Sequence, residues 1–208
     1  MSTLTDLEKG LEIPLMEEFY TIQGEGYHSG KAAWFIRIGG CDVGCHWCDV
    51  KESWDPKIHP LTRTEAIVDH AVKNPSKAVV VTGGEPCMYN LDFLTAELHK
   101  RGVSTYLETS GAYPITGTWN WICFSPKKNS APLSGNFKKA NELKMIVYNT
   151  DDFKWAEKNA ATVGADCILY LQPEWSRRAE MMPKITEYVM THPSWNVSLQ
   201  THKYLGIP

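Results

Sequence analysis

Seven short apolar segments recur along the 208-residue chain, and helix patterns lie between several of them. Each segment is bounded by turn residues and is shorter than an ordinary helix, so we interpret the segments as strands buried on both faces. They cover residues 33–38, 78–82, 103–108, 119–124, 142–148, 167–172 and 195–200. Because successive parallel strands need a crossover, usually a helix, the alternation predicts an α/β fold with mostly parallel strands.

Turn and capping residues indicate where the helices begin and end. Thr62 and Glu65 have the spacing of a capping box, which predicts a helix that stops at Asn74 and Pro75. Three further helices are expected, with boundaries indicated by Asn90 and Gly102, by Thr150, and by Ser176 with Pro183.

Three cysteines lie close together in the segment CDVGCHWC, as Cys41, Cys45 and Cys48. Three thiolates leave one iron of a four-iron cluster without a protein ligand, and that iron can bind another molecule. The spacing therefore favours a catalytic iron–sulfur cluster over an electron carrier, whose cluster takes four protein ligands. A closed zinc site completed by His46 or Cys87 is the alternative that the spacing alone leaves open.

Composition narrows the class of protein further. The net charge of -3 gives no basic face for nucleic acid. The first ten residues lack the apolar core of a signal peptide, and no run is long enough to cross a membrane, so we expect a cytoplasmic protein with no membrane partner. In that reducing compartment the six cysteines would stay free, and Cys123 and Cys167 would be small buried residues. The length suits a single domain over residues 1–208.

Polar motifs follow five of the predicted strands. In a parallel barrel the reactive groups come from the C-terminal strand ends, so these motifs are expected to meet at one rim. Gly83 and Gly84 would let the backbone approach a ligand closely, and Glu85 could accept hydrogen bonds from an ammonium, although this triplet alone also fits an ordinary βα turn. The motifs occupy residues 41–48, 83–86, 108–111, 125–127 and 172–173.

Two further segments, QGEG at 23–26 and HKYLGIP at 202–208, complete a set of motifs with CDVGCHWC, GGEP, ETSG and SPK. In this combination the whole chain resembles the 7-carboxy-7-deazaguanine synthase family of radical S-adenosylmethionine (SAM) enzymes. The resemblance implies a reduced, partial (β/α) barrel of the radical SAM type. It also implies a [4Fe-4S] cluster on Cys41, Cys45 and Cys48, with SAM on the open iron.

The resemblance implies a carbon–nitrogen lyase of queuosine and 7-deazapurine biosynthesis. Its substrate would be 6-carboxy-5,6,7,8-tetrahydropterin, and ring contraction with loss of ammonia would give 7-carboxy-7-deazaguanine. An external flavodoxin or ferredoxin would reduce the cluster, and the electron would cleave SAM to a 5'-deoxyadenosyl radical. The family also acts as a homodimer.

The SAM-binding residues are expected along the cysteine segment and the later motifs. Trp47 would lie over the adenine or cover the cluster from water. The full set implied is Trp47, Asp49, Gly84, Glu85, Glu108, Ser125, Pro126, Lys127, Gln172, Pro173, Glu174 and Trp175.

The substrate-binding residues are expected around the QGEG segment and the chain end. Arg37 stands in an otherwise apolar strand, where its guanidinium could grip a carboxylate with two bonds. The tail has Tyr204, Leu205 and Ile207 to bury, so docking over the pocket is expected. The full set implied is Ile22, Gln23, Gly24, Glu25, Arg37, Thr82 and Pro208.

The chain departs from the family pattern at one position beside the cysteines. Cys48 and Asp49 precede Val50, where the family has a threonine whose hydroxyl helps to hold magnesium. Valine has no ligand atom in its side chain, so we expect weak or absent magnesium dependence, with any ion near Asp49 and Val50.

Two other functions would also explain the cysteines. A glycyl-radical activase uses three cysteines on a short chain but acts on a protein loop, and a zinc-binding module has no radical chemistry. The compact QGEG entry and HKYLGIP closure favour a small molecule held in a pocket.

Overall fold

One nine-stranded sheet runs through the protein, in the order β3-β1-β2-β4-β5-β6-β7-β8-β9. The computed structural model describes residues 4–208; residues 1–3, where the predicted domain and the N-terminal segment begin, lie outside the described residues. The strands are β1 Glu12–Ile22, β2 Ala32–Ile38, β3 Leu61–Arg63, β4 Ala78–Gly83, β5 Ser104–Thr109, β6 Trp121–Phe124, β7 Glu142–Val147, β8 Ile168–Pro173 and β9 Trp195–Val197.

Seven of the nine strands are parallel, namely β2 and β4 to β9. The edge strands β3 and β9 are not paired with each other, so the sheet is a partial barrel rather than a closed one. The predicted fold class is confirmed. Because the parallel strands end on the same side, the loops that follow them share one rim.

The seven predicted strands are all present, but the sequence interpretation missed β1 and β3. β1 contains Pro14, Glu17 and Glu18 and pairs antiparallel with β2 across an irregularity between Leu15 and Glu17. The charged residues and the proline give this segment no apolar strand pattern in the sequence. It forms a strand because it pairs with its neighbours in the sheet. The last predicted strand is too long, because β9 stops at Val197.

Five α-helices pack around the sheet. The predicted capping box is wrong, because Arg63 precedes the first helix and the Thr62 hydroxyl donates to the Pro60 carbonyl instead. Asn90 does accept from the second residue after it, Asp92 N, at 2.9 Å. Pro183 lies inside the fourth helix rather than at its start. The helices are α1 Thr64–Ala71, α2 Asp92–Lys100, α3 Asp151–Ala160, α4 Arg178–Thr191 and α5 Thr201–Leu205.

Two apolar clusters fill the space between the sheet and the helices. One joins α1 and α2 to β2 and β4, through residues such as Ile67, Leu94 and Val81. The other joins α3 and α4 to β7 and β8, through residues such as Ala156 and Ile185. Because side chains alternate between the faces of a strand, the opposite face carries a smaller apolar cluster with Phe35 and Val80 on β2 and β4, and Lys144 on β7. No helix among residues 4–208 combines the length and apolar character needed to cross a membrane.

Substitution of Gly111 tests how tightly the loop after β5 packs against the core. This glycine has φ +74°, and a Cβ there would lie 1.7 Å from a ring carbon of buried Phe124. We expect Gly111→Ala to lower the free energy of unfolding by about 2 to 4 kcal/mol, from backbone strain and overpacking together. Gly164→Ala, where a Cβ meets nothing within 4 Å, is the control and should change it by less than about 0.5 kcal/mol. Equal urea midpoints for the two variants would contradict the expectation.

Candidate active site

A cavity of about 310 Å³ lies where the C-terminal strand ends meet. Every residue predicted for the cluster, SAM or substrate lines it, together with Val50, except for Pro126. The structure thus brings together groups from nearly the whole length of the chain, since Phe19 and Pro208 both belong to the lining. Individual roles within this shared space stay predictions.

The cysteine loop is tied to the rim by backbone hydrogen bonds. Gly40 N donates to Ser53 O at 2.6 Å, and Cys41 N donates to Trp54 O at 3.1 Å. All three cysteines of the loop are free, partly buried thiols. Burial raises the pKa of both Cys41 and Cys45, so binding a metal must displace their protons.

The two side chains that could complete a zinc site with the three cysteines do not line the cavity that those cysteines share. His46 packs edge-on against Tyr148, with ring centroids 5.0 Å apart, and the Cys87 thiol is buried.

Gly83 and Gly84 permit a close approach, but the neighbour is the chain's own backbone. A Cβ on Gly83 would lie 2.0 Å from Ile38 O, and one on Gly84 would lie 2.3 Å from Gly40 O. Gly84 N donates to Ile38 O at 2.9 Å, and Glu85 N donates to Gly40 O at 2.8 Å. The two glycines thus dock the start of the cysteine loop against the end of β4.

The Glu85 carboxylate is buried and already has four donors. Its Oε1 accepts from Cys87 N at 3.0 Å and from Thr109 Oγ1 at 2.6 Å. Its Oε2 accepts from Ser110 N at 2.8 Å and also from the Ser110 hydroxyl. Four donors fill the acceptor sites of a carboxylate, so in the free protein Glu85 joins the loops after β4 and β5. The predicted contact with an ammonium is not tested by these bonds.

Aromatic and cationic groups form the side of the cavity next to the cysteines. Lys127 Nζ lies 5.9 Å from the centre of the Trp47 ring and donates to Ser125 Oγ at 2.7 Å. Burial lowers the pKa of Lys127. Elsewhere in the lining, Glu174 accepts from Ser176 N at 3.0 Å and begins a short 3₁₀ helix that carries Trp175.

The floor of the cavity carries an ion-pair group that the sequence interpretation missed. Lys144 Nζ donates to Glu25 Oε2 at 2.6 Å and to Glu108 Oε2 at 2.8 Å. Gln23 Nε2 donates to the other oxygen of Glu108 at 3.2 Å, and Gln200 Nε2 to the other oxygen of Glu25 at 2.8 Å. Glu108, predicted as a SAM contact, is therefore bonded to a predicted substrate residue.

Lys144 could have been found by the reasoning that selected Arg37. It is a single cation within the strand ELKMIV, and it is only 4% exposed. A buried lysine needs partners, so its position in an apolar strand is a signal for a polar site. Further lining residues for which the sequence predicted no individual role are Phe19, Phe35, Val43, Ser53, Trp54, Thr109, Ser110, Ile146, Gln200, His202 and Lys203. Of these, Val43, Thr109, Ser110, His202 and Lys203 belong to the motifs CDVGCHWC, ETSG and HKYLGIP.

Arg37 lies at the side of the cavity and already has an ionic partner. Its Nε donates to Glu17 Oε1 at 2.7 Å, and its guanidinium lies 5.9 Å from the centre of the Phe19 ring. The side chain of Arg37 is 19% exposed. One edge of the guanidinium is thus held by β1, which orients the group toward the cavity that it lines.

The C-terminal tail docks over the cavity, but only one of its three apolar side chains, that of Ile207, is partly buried. Tyr204 and Leu205 are 63% and 60% exposed, so the expectation that they would be buried is wrong. Polar contacts hold the segment instead: Thr201 N donates to Gly24 O at 2.9 Å, and Thr21 Oγ1 donates to Pro208 O at 3.2 Å. Lys203 Nζ also donates to Asp49 Oδ2 at 2.8 Å, which links the tail to the cysteine loop.

The four donors on Glu85 make a testable prediction. Glu85→Gln replaces one acceptor oxygen by an NH₂ group and leaves buried donors of the β5 loop unpaired, at about 1 to 3 kcal/mol for each. We expect a lower urea midpoint and a lower iron content after anaerobic reconstitution, because the cysteine loop rests on this junction. Glu180→Gln, at an exposed ion pair, is the matched control and should behave like the unchanged protein. Unchanged midpoint and iron content in Glu85→Gln would refute the junction role.

Comparison with known proteins identifies the relatives of this chain. A model of the radical SAM superfamily matches residues 35–116. The 7-carboxy-7-deazaguanine synthase of Flavobacterium psychrophilum is 59% identical over 202 residues, which cover 97% of this chain and 96% of that protein. That of Synechocystis sp. is 47% identical over 194 residues, covering 93% of each. The crystal structure of QueE from Escherichia coli has a TM-score of 0.80 at 31% identity, covering 93% of this chain and 96% of that chain.

A shared fold alone would not account for this degree of sequence identity over nearly the full length of both proteins. The superfamily match includes the cysteine loop and the end of β4 that supports it. The chain belongs to the 7-carboxy-7-deazaguanine synthase family of radical SAM enzymes.

Proposed function

We propose that this chain converts 6-carboxy-5,6,7,8-tetrahydropterin to 7-carboxy-7-deazaguanine with release of ammonia, in queuosine or related 7-deazapurine biosynthesis. Its relatives carry the name of that product's synthase. The observation that carries the proposal is that one cavity is lined by the three cysteines, by Arg37 and by the Glu25–Lys144–Glu108 group. A radical source and a polar substrate site thus face the same space.

The cofactors of the radical SAM family suit the cysteine side of this cavity. Cys41, Cys45 and Cys48 would bind three irons of a [4Fe-4S] cluster, and SAM would occupy the open iron. When bound, the reduced cluster and SAM supply a 5'-deoxyadenosyl radical that abstracts a hydrogen from the substrate. Trp47 offers a flat apolar surface for the adenine, and Lys127 brings a positive charge toward the carboxylate of SAM.

The remaining predicted SAM residues lie around this half of the cavity. Pro126 does not line it, and we propose that its rigid ring orients the backbone between Ser125 and Lys127. Glu108 faces the floor, where its partners are Gln23 and Lys144. The rest of the set keeps its proposed role: Asp49, Gly84, Glu85, Gln172, Pro173, Glu174 and Trp175.

The substrate would lie between Arg37 and the floor. Arg37 can bind the substrate carboxylate with the guanidinium edge that Glu17 leaves free. The pterin edge presents N–H donors, for which the Glu25 carboxylate is a suitable acceptor. Ile22, Gln23, Gly24 and Thr82 would complete the walls, and the docked tail with Pro208 would exclude water from the reacting atoms.

Incubation of the reconstituted protein with this pterin, SAM and a low-potential reductant tests the proposal. We expect 5'-deoxyadenosine and 7-carboxy-7-deazaguanine by liquid chromatography and mass spectrometry. Cys45→Ser should abolish both products, because the cluster loses one of three ligands. Cys167→Ser, which alters a half-buried thiol outside the cavity, should retain activity. A protein with full iron and sulfide that forms no deazaguanine would favour the activase alternative, and stoichiometric zinc would favour the zinc module.

We propose that magnesium has little part in this reaction, because the residues near its expected place do not suit it. Val50 offers no side-chain ligand, and the Asp49 carboxylate already accepts from Lys203 at 2.8 Å. The buried group Glu108, Cys123 and Glu142 is no substitute, since a thiol is a poor magnesium ligand and Lys144 already compensates the local charge.

Removal of magnesium tests this point. We expect turnover to change less than about twofold when a chelator specific for divalent cations is added to the reconstituted enzyme. Val50→Thr, which restores a hydroxyl beside Asp49, is the companion variant and should respond to added magnesium at least as strongly as the unchanged chain. A steep loss of turnover in the unchanged chain on chelation would refute the proposal.

We also propose a homodimer and an external electron donor of the flavodoxin or ferredoxin type. A single nine-stranded sheet spanning residues 12–197 supports one domain over the whole chain. The six free cysteines support a reducing compartment, in keeping with a cytoplasmic location. Exposed Tyr204 and Leu205 on the docked tail offer apolar surface that a second copy could cover.

A further inference from the structure

The floor of the cavity holds more negative than positive charge. Lys144 is bonded to Glu25 and Glu108, and Glu142 lies on the same strand two residues earlier. The side chain of Lys144 is 5% exposed, while those of Glu25 and Glu108 are 18% and 19% exposed. One ammonium therefore serves a group with three carboxyl side chains, in surroundings where an unpaired charge is costly.

The three carboxyl groups are not equivalent, because they have different partners. Glu142 accepts from Tyr27 N at 3.0 Å and from Trp121 Nε1 at 2.9 Å. Glu25 and Glu108 share Lys144, and each has one amide donor besides. Lys144 is thus the group that decides whether Glu25 and Glu108 can carry charge together.

The pKa values of the two carboxyl partners of Lys144 shift in opposite directions. Burial opposes ionisation of Glu25, but the Lys144 ammonium and its hydrogen bond lower the pKa of Glu25 to about 2. Burial, with the neighbouring charges of Glu142 and Glu25, raises the pKa of Glu108 despite Lys144. The pKa of Lys144 itself is raised well above its ordinary value, since the surrounding acidic groups outweigh the effect of burial.

We propose that Lys144 is a positioning residue for the substrate, which keeps Glu25 ionised and oriented into the cavity to accept the N–H groups of the pterin edge. Glu108 is then the carboxyl group that binds a proton when the net negative charge of the group decreases. This inference rests on the proposed function. It extends that function by assigning a determinant of substrate affinity to a residue that contacts Glu25 rather than the cysteine side of the cavity.

Lys144 is suited to this role because its strand is rigid and its partners come from other elements. It lies on β7, which pairs with β6 on one side and with β8 on the other. Glu25 follows β1, and Glu108 is on β5, so the ammonium joins parts of the chain that are distant in sequence. The titratable groups that face this cluster are Glu25, Glu108, Cys123, Lys127, Glu142 and His202.

The pH dependence of substrate KM in Lys144→Met tests the proposal. In the unchanged chain Glu25 stays ionised from about pH 6 to about pH 8.5, so this group adds no pH dependence to KM. Without the ammonium, burial raises the pKa of Glu25, and the carboxyl is protonated at the lower pH. We expect KM for the pterin to rise about 10- to 100-fold at about pH 6 and to recover toward the unchanged value as pH rises.

Two controls separate positioning from a general structural defect. Lys184→Met removes an exposed lysine that also pairs with a glutamate, and its KM should match the unchanged chain at both pH values. The iron and sulfide content after reconstitution reports the cysteine loop, and it should be unaltered in Lys144→Met. A KM raised equally at both pH values, or not raised at all, would overturn the proposal.

If Lys144→Met does not fold, a double variant provides the test instead. Glu108→Gln with Lys144→Met removes one charge of each sign and should restore folding, yet its KM should keep the same pH dependence because Glu25 still lacks its cation. A pH-independent KM in this double variant would overturn the inference. Absence of deazaguanine from the unchanged chain would instead refute the proposed function, so the two failures are distinguishable.

Discussion

The close approach of β2 and β4 at their C-terminal ends is the contact on which the rest of the site depends. Gly83 lies against Ile38, and Gly84 lies against Gly40, at distances that leave no room for a side chain. The cysteine loop begins at this point, so its place above the barrel is set by backbone contacts. Glu85 then ties in the loop after β5, which makes the loops after three neighbouring strands one hydrogen-bonded unit.

The cavity next to this unit has two chemically distinct sides. The cysteine side presents thiols, Trp47 and Lys127, whereas the floor presents Glu25, Glu108 and Lys144. Radical chemistry needs the first side to be shielded from water, and recognition of a polar heterocycle needs the second to hold charge in a buried place. A shared cavity lets both requirements be met within one small domain.

The C-terminal tail completes the site through polar contacts rather than through burial of apolar groups. Thr201, Lys203 and Pro208 each bond to a different part of the rim, namely Gly24, Asp49 and Thr21. Tyr204 and Leu205 stay largely exposed, because α5 is only five residues long and turns its apolar side chains away from the cavity. The tail thus covers one end of the cavity and contributes His202, Lys203 and Pro208 to its lining.

Patterns along the chain predicted the seven parallel strands, the family and most of the residues that line the cavity. Apolar periodicity and motif spacing are local properties, and these can be read along the chain. The pairing of β1 with β2, the four donors on Glu85, the exposure of Tyr204 and the ion pairs of Lys144 are visible only in the folded protein. The partners of Lys144 lie far away in sequence, since Glu25 is 119 positions from it. A lone lysine in an apolar strand signals a polar site, but the packing of whole elements sets which groups it contacts.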